Sequence, residues 1–153
     1  MLSDGDILKA IERGEISIEN FKEENLTPNG YDLTVGEIKI PELDVYIKNG
    51  KLRIPPLTHF LVGSEEYIKL REGYVAQLWL KSRWARRGVL ASFGLVDAGF
   101  EGILTMGSFA TREIELKVGD KYAQICFIRL SSPAEKPYAL RSGNYQKQKN
   151  IKI

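Results

Sequence analysis

The chain has 153 residues, of which 43% are apolar and 27% charged, and its formal net charge is +2 at pH 7. This length and composition predict one globular domain with one sizeable core. No apolar run approaches the roughly 18 residues that a membrane-spanning helix needs. The small net charge argues against a general nucleic-acid binder, because such proteins carry a large basic excess. We therefore expect neither a membrane nor a nucleic-acid partner.

Cysteine and histidine are scarce, which excludes several kinds of site. The single cysteine, Cys126, cannot form an internal disulfide, and the start MLSDGDILKA lacks the features of a secretory signal. We therefore expect a cytoplasmic location. One cysteine and one histidine, His59, cannot build the His/Cys/Cys zinc site of ordinary nucleobase deaminases. We interpret His59 as a half-exposed strand residue. There is also no P-loop and no GxGxxG motif.

The first predicted element is a short N-terminal helix. Ser3 and Asp6 resemble a capping pair, Ile7, Leu8 and Ile11 recur on one helical face, and Gly14 ends the pattern. We expect this helix to pack on a sheet.

Short β-strands dominate the rest of the sequence. After the turn signal Pro28–Gly30, the segment 31–40 alternates and is rich in β-formers. Further strands are predicted at Leu52–Ile54, His59–Leu61, Tyr67–Leu70, Val75–Leu80, Gly88–Phe93, Ile103–Ala110, Ile114–Leu116 and Ala123–Leu130. No second helix of useful length is visible. The pattern predicts a mainly β domain, a distorted jelly-roll-like barrel, covering residues 1–153. The polar, basic tail 134–153 is either a flexible end or a lid that a ligand orders.

The segment KSRWARRG, residues 81–88, is the densest basic cluster. Arginine guanidinium groups suit bidentate phosphate binding, and a turn with small residues exposes backbone N–H groups to the same anion. The alternative is a surface loop whose charges are partly neutralised by carboxylates.

Five segments together resemble the ordered motifs of the dUTPase and dCTP deaminase superfamily. They are NGYDLTVG (29–36), KSRWARRG (81–88), GLVDAGFEGILT (94–105), GDKYAQICF (119–127) and RSGNYQKQ (141–148). The resemblance covers most of the chain. It implies a homotrimer of distorted β-barrels with active sites between subunits, a deoxyribonucleoside triphosphate substrate and Mg²⁺.

The resemblance also assigns roles to the first two motifs. Asp32 would lie near the metal, acting indirectly through water or the triphosphate, although an aspartate there also suits a turn. Ser82 and Arg86 match a triphosphate-binding turn, and Lys81 and Arg83 would join them. Arg83 departs from the family pattern, which usually has a small residue at that position.

Asp97 matches the aspartate that orients and deprotonates the attacking water in dUTPases. Water is a poor nucleophile until a positioned base removes its proton, so this chemistry needs a carboxylate. Without the resemblance, an aspartate before Ala-Gly would more often be a turn residue.

The remaining predicted contacts follow from the same resemblance. Near the pyrimidine we expect Ser92, Phe93 and Gly94, and Phe100 would lie either next to the pyrimidine or in the core. The interval between Gly88 and Asp97 is about two residues shorter than in many members of the superfamily. Uracil selectivity is therefore inferred from the family alone. Gln124 would contact phosphate, unless it is an ordinary strand-edge residue. Arg141, Tyr145 and Gln148 match the C-terminal arm that closes on the nucleotide, predicted within residues 134–153.

The residue at position 107, a glycine in this chain, distinguishes dCTP deamination from dUTP hydrolysis within the superfamily. The dCTP deaminases of this superfamily have a glutamate here that moves protons between water and the cytosine ring, and glycine offers no acid or base. Glu101 and Glu113 are near in sequence but do not match the register. We therefore predict a dUTP diphosphatase that releases dUMP and diphosphate. The alternatives are a dCTP deaminase or bifunctional enzyme, a silent deoxynucleotide-binding regulator, and a structural jelly-roll module.

Overall fold

A computed structural model describes all residues from Met1 to Ile153. Its helices are short: α1 (Asp4–Glu12), α2 (Ser82–Ala85) and α3 (Tyr138–Arg141), with two 3₁₀ turns at Glu23–Asn25 and Pro41–Leu43. None of them has the length and hydrophobicity that would let it cross a lipid bilayer. The expectation that no second helix has a useful length is confirmed, since α2 and α3 have four residues each.

Fourteen strands build the body of the molecule. They are β1 (Ile16–Glu19), β2 (Leu26–Thr27), β3 (Gly30–Ile40), β4 (Val45–Ile47), β5 (Lys51–Ile54), β6 (Thr58–Ser64), β7 (Tyr67–Leu70), β8 (Tyr74–Leu80), β9 (Val89–Leu90), β10 (Leu95–Val96), β11 (Glu101–Gly102), β12 (Thr105–Ala110), β13 (Ile114–Lys117) and β14 (Lys121–Arg129).

The strands form a curled antiparallel sheet that closes into a half-barrel. The main path runs β10-β8-β14-β3-β6-β12-β9, with β2 and β4 also paired to β3. The remaining strands form a three-stranded sheet, β1-β7-β11, and a two-stranded sheet, β13-β5. The predicted fold, a mainly β, jelly-roll-like barrel with a short N-terminal helix, is confirmed.

Helix α1 begins as predicted but buries a different face. The Ser3 hydroxyl accepts a hydrogen bond from the Asp6 amide, and Gly14 takes a positive φ of 65° just past the last turn. Ile7 and Ala10 are the buried positions, whereas Leu8 is 40% exposed. The inclusion of Leu8 in the packed face was therefore wrong.

Strand β3 is the centre of the sheet rather than a half-exposed strand. It pairs with β14 on one side and β6 on the other, and nine of its eleven residues are buried. The alternation seen in the sequence therefore does not correspond to one solvent-facing side. The buried aromatic residues Trp84, Tyr31, Tyr122, Phe60 and Phe127 fill the largest volumes of the core around it.

Two predicted strands are shorter than expected. Only Val89–Leu90 forms a strand within the predicted segment 88–93, and residues 91–94 are irregular. The predicted strand 103–110 begins at Thr105, because residues 103 and 104 leave the regular ladder. The Ile103 amide donates to the carbonyl of Gln148, and the Leu104 amide donates to the Ser64 hydroxyl. These irregular segments lie beside the candidate site.

Candidate functional site

A cavity of about 380 Å³ opens beside Asp97. Its size lies at the lower end of the range typical of small-molecule sites. Asp97 is the one acidic residue in its wall, and Lys152 is the one basic residue. The full lining comprises Leu61, Leu78, Gly94, Leu95, Val96, Asp97, Phe100, Leu104, Thr105, Gly107, Tyr138, Tyr145, Gln148 and Lys152.

A tight turn after β10 presents the Asp97 carboxylate. Strand β10 pairs with Gln77 and Ala76 of β8, and the Phe100 amide donates to the Asp97 carbonyl at 3.1 Å. The turn needs glycine at position 99, where φ is 82°. The neighbours Val96 and Ala98 are buried while Asp97 itself is exposed, so the turn directs a solvated carboxylate to the cavity.

The C-terminal arm, residues 134–153, starts against this turn in the same chain. A Cβ added at Gly99 would lie 2.5 Å from the Cβ of Pro137, so any side chain there would displace the arm. The Tyr138 amide donates to the Ala98 carbonyl at 2.8 Å, and the rings of Tyr138 and Phe100 meet edge to face with centroids 5.6 Å apart. In this structure the tail therefore packs against the turn that carries Asp97, and whether a ligand orders it stays a prediction.

Farther along, the arm runs beside β11. The Lys147 amide donates to the Glu101 carbonyl at 2.6 Å, and the Gln148 carbonyl accepts from the Ile103 amide at 3.0 Å. The Gln148 side chain donates to the Ile103 carbonyl at 2.6 Å. Gln148 and Tyr145 therefore lie in the cavity wall, and the Gln148 side-chain amide is held by its own chain.

A latch formed by Glu37, Tyr46 and Lys48 holds the last residues of the arm. The Glu37 carboxylate, 4% exposed, accepts hydrogen bonds from the Ile151 amide and the Tyr46 hydroxyl. The Lys48 ammonium lies 3.8 Å from the same carboxylate and donates to the Asn150 side chain at 2.7 Å. The arm is thus fixed at both ends with the cavity between.

Gly107 leaves an open place in the cavity wall. A Cβ built there would have only ordinary contacts, at 3.7 Å from Leu61 Cδ2 and 3.9 Å from His59 Nε2. Its backbone requires no positive φ, so the wall has room for a side chain that this sequence does not supply.

The basic segment 81–87 lies outside this cavity. Trp84 anchors it: the indole is fully buried, its N–H donates to the Lys121 carbonyl at 2.9 Å, and the Arg83 and Arg87 guanidinium groups stack at 4.9 and 5.6 Å from the ring centroid. Ser82 and Arg86 are exposed. None of the segment's residues lines the Asp97 cavity.

Asp32 belongs to a third group, on the ladder of β3, β14 and β8. Lys81 and Lys121 place their ammonium groups 2.6 and 3.8 Å from Asp32 Oδ2. Gln124 pairs opposite Asp32 in register, and its amide donates to the Thr27 hydroxyl at 2.7 Å. Lys81, Asp32 and Gln124 are therefore brought together, away from Asp97.

The acidic groups of the chain do not form a dedicated metal site. No cluster of three or more His, Cys, Asp or Glu side chains is present. Asp32 Oδ1 is buried without a hydrogen-bond partner, while Oδ2 is neutralised by lysine. Mg²⁺ is commonly held by one or two carboxylates together with substrate phosphates and water. The indirect role of Asp32, through water or the triphosphate, therefore stays a prediction.

The other residues predicted to contact the nucleotide do not all lie in the Asp97 cavity. Gly94 and Phe100 line the cavity, whereas Ser92 and Phe93 line a neighbouring groove with Ala91, and Phe93 packs against the core with its ring 6.5 Å from that of Tyr122. Arg141 is exposed on α3 and lies outside the cavity wall.

Sequence reasoning missed Tyr138 and Lys152, both in the cavity wall. An aromatic residue directly after Pro137 and a cation near the chain end were the available signals.

Comparison with solved structures defines the class of the fold. A dCTP deaminase from Agrobacterium tumefaciens superposes with a TM-score of 0.69 at 18% identity, covering 85% of this chain and 47% of that chain. The EIAV dUTPase superposes with a TM-score of 0.57 at 21% identity, covering 80% of this chain and 92% of that one. The barrel is therefore the fold that these dCTP deaminases and dUTPases share.

Sequence comparison then gives the family. The model of the dCTP deaminase-like family matches residues 42–130. A protein named dCTP deaminase from Thermococcus kodakarensis is 43% identical over 145 residues, 92% of each chain. A probable deoxyuridine 5'-triphosphate nucleotidohydrolase of Sulfolobus islandicus rod-shaped virus 1 is 36% identical across all of this chain and 97% of its own. The chain belongs to the dCTP deaminase-like family, whose enzymes act in nucleotide metabolism, and the predicted superfamily is confirmed.

Proposed function

We propose that this protein is a dUTP diphosphatase that converts the Mg²⁺ complex of dUTP to dUMP and diphosphate. We propose further that it acts as a homotrimer with active sites between subunits. Among the relatives, the viral protein matches this chain over its whole length and is named for dUTP hydrolysis. The Thermococcus kodakarensis protein named dCTP deaminase is more similar in sequence, at 43% against 36% identity, so the choice depends on the chemistry of the cavity.

The observation that carries the proposal is that the cavity has one carboxylate, Asp97, and a glycine at position 107. The family resemblance places the proton-carrying glutamate of deaminases at position 107. The two neighbouring acids do not replace it. Glu101 faces β7, where it accepts from the Tyr67 hydroxyl at 3.2 Å and lies 3.7 Å from Lys69. Glu113 lines a different pocket with Arg86 and Arg87.

One exposed carboxylate is enough for hydrolysis. Asp97 would take a proton from water while the water oxygen forms a bond to the α-phosphorus and the bond from that phosphorus to the bridging oxygen breaks. Diphosphate leaves with the negative charge, which basic side chains and the Mg²⁺ of the substrate neutralise. The docked arm limits access of other water molecules to the cavity.

The phosphate-binding part of the site would come from a second copy of the chain. The cavity of about 380 Å³ is lined by one cation, Lys152, which is too few for a triphosphate. The exposed Ser82 and Arg86 form no common site with Asp97 in one chain. A cyclic assembly that brings the basic segment of one subunit to the Asp97 cavity of another would complete the site.

The second candidate is a dCTP deaminase, which the 43% identical relative favours. One experiment separates the candidates: purified protein is incubated with Mg²⁺ and either dUTP or dCTP, and diphosphate and ammonia are measured separately. We expect diphosphate from dUTP and no ammonia from dCTP. Ammonia release would show that deamination proceeds with another acid. Tight dUTP binding without either product would favour a silent regulator.

A further inference from the structure

The single histidine of the chain lies beside the place left open at Gly107. His59 is on β6, and its Nε2 is 3.9 Å from the position that a Gly107 Cβ would occupy. Gly107 lines both the Asp97 cavity and an open groove that contains His59 and Ser92. The two depressions therefore meet at Gly107, and the imidazole is the titratable group at their junction.

A carboxylate lies on the other side of the imidazole. His59 Nδ1 lies 3.4 Å from Oε1 of Glu42, which belongs to the 3₁₀ turn Pro41–Leu43 packed against β6. In the neutral imidazole, a carboxylate near Nδ1 favours the tautomer with the proton on that nitrogen. Nε2 then carries a lone pair and faces the gap as a hydrogen-bond acceptor.

We propose that His59 is a specificity-determining residue that contacts the pyrimidine through Nε2, with Glu42 as its positioning residue. This inference depends on the proposed function, since it takes a pyrimidine nucleotide as the ligand of the Asp97 cavity. Uracil presents an N–H donor at N3, whereas cytosine presents a lone pair there. The Nε2 acceptor pairs with the N3–H donor of uracil. Against cytosine it faces the lone pair of N3, so two acceptors meet without a hydrogen between them.

The same chemistry predicts what His59 does not discriminate. Thymine carries the same N3–H as uracil, so Nε2 treats the two bases alike. Selection of uracil over thymine would need a cavity wall that sterically excludes the methyl group of thymine. This exclusion does not depend on the hydrogen bond to Nε2. The ratio of dUTP to dTTP is therefore an internal control for the ratio of dUTP to dCTP.

The test measures kcat/KM for dUTP hydrolysis, and the equilibrium binding of dUTP, dCTP and dTTP, in the intact protein and in His59→Phe. We expect His59→Phe to reduce the preference for dUTP over dCTP about tenfold or more, because a site that pairs with a polar group strongly rejects the analogue lacking it. The dUTP to dTTP ratio should stay the same. An unchanged dUTP to dCTP ratio in His59→Phe would overturn the inference.

Two further variants keep the result interpretable. Glu42→Gln should shift the same ratio in the same direction by a smaller factor, while Glu115→Gln, an exposed ion-paired acid on β13, should leave it unchanged. Binding is measured apart from turnover, so absent diphosphate release would contradict the proposed function, whereas the binding ratio still tests His59. Melting temperatures confirm that each variant is folded.

Discussion

The Asp97 cavity and the basic segment 81–87 differ in what one chain provides to each. The cavity is assembled from distant parts of the sequence, from β6 to the last residues, and is covered by the arm of the same chain. The basic segment is a single exposed turn that Trp84 anchors to the core. The segment supplies several cations, two of which, Arg86 and Arg87, line a separate pocket with Glu113, whereas the Asp97 cavity has one cation in its wall.

This difference indicates that the two regions would have different roles, one in catalysis and the other in attracting the substrate. The cavity holds a positioned carboxylate, which is what the reacting end of a substrate requires. An exposed row of cations attracts a polyanion from solution but does not orient it. Under the proposed function, the two regions act together only when two subunits meet.

The largest expected effect is that of Asp97→Asn. Without the carboxylate no group in the cavity can take the proton of water, and we expect kcat for dUTP hydrolysis to fall by roughly 10²–10⁴-fold. Binding of a non-hydrolysable dUTP analogue, measured by calorimetry, should persist. Glu101→Gln is the matched control, because this neighbouring acid faces β7. Undiminished turnover in Asp97→Asn would contradict the assignment of the base.

A mixing experiment tests the division between the regions directly. Asp97→Asn and Arg86→Ala proteins should each be inactive, but subunit exchange between equal amounts should restore about one quarter of the sites if each site takes Asp97 and Arg86 from different subunits. The measurement is diphosphate release after mild dissociation and reassociation. No recovery, with exchange shown by mass spectrometry, would mean that both residues serve one site from one chain.

Removing part of the arm should reduce activity less than Asp97→Asn does, and we expect the effect mainly in substrate binding. Deleting residues 144–153 removes Tyr145, Gln148 and Lys152 from the wall, and we expect KM for dUTP to rise about tenfold. Glu37→Gln, which weakens the latch but keeps the arm, should raise KM less. Trypsin cleavage at Lys149 reports arm release independently, and equal cleavage rates in Glu37→Gln and the unaltered protein would contradict the latch.

The smallest expected effect is on the pH dependence of stability, through the buried acid Glu66. Burial raises the pKa of the Glu66 carboxyl above its ordinary value, with hydrogen bonds from Thr34 opposing the shift. The folded chain then binds this proton more tightly than the unfolded chain. Glu66 therefore makes stability fall as the pH rises from the ordinary glutamate value through the raised one.

Glu66→Gln should remove this part of the pH dependence. Melting temperatures of the two proteins between about pH 4 and pH 7 would show it as a flatter curve in the variant. Parallel curves would show that Glu66 does not titrate differently in the folded state. Ser64 links this acid to the cavity wall, because its hydroxyl donates to the Glu66 carbonyl and accepts from the Leu104 amide.

The parts predicted from the sequence were those with local signals. The cap at Ser3 and the strand-rich pattern depend on neighbouring residues, and these predictions agree with the structure. The strand predicted at 88–93 was too long, because this segment pairs only at Val89 and Leu90 and the rest of it is a loop. Local propensity contains no information on such pairing.

The composition of the site was harder to predict because it depends on long-range contacts. His59 was interpreted as an ordinary strand residue, since nothing within the segment THF indicates that Gly107 lies beside it. That neighbour comes from the antiparallel pairing of β6 with β12, which sets His59 opposite Phe109 and Leu61 opposite Gly107. The Glu37 latch likewise joins residues 114 positions apart in the chain.

The pairing of Gln148 with Gly102 has a consequence for solubility. Strand β11 is the last strand of the sheet β1-β7-β11, and residues 147 and 148 lie along its outer side as a short parallel partner. Unpaired strand edges are templates for association with other chains. In this molecule the arm therefore also protects a sheet edge, and cleavage before residue 147 would expose a surface prone to aggregation.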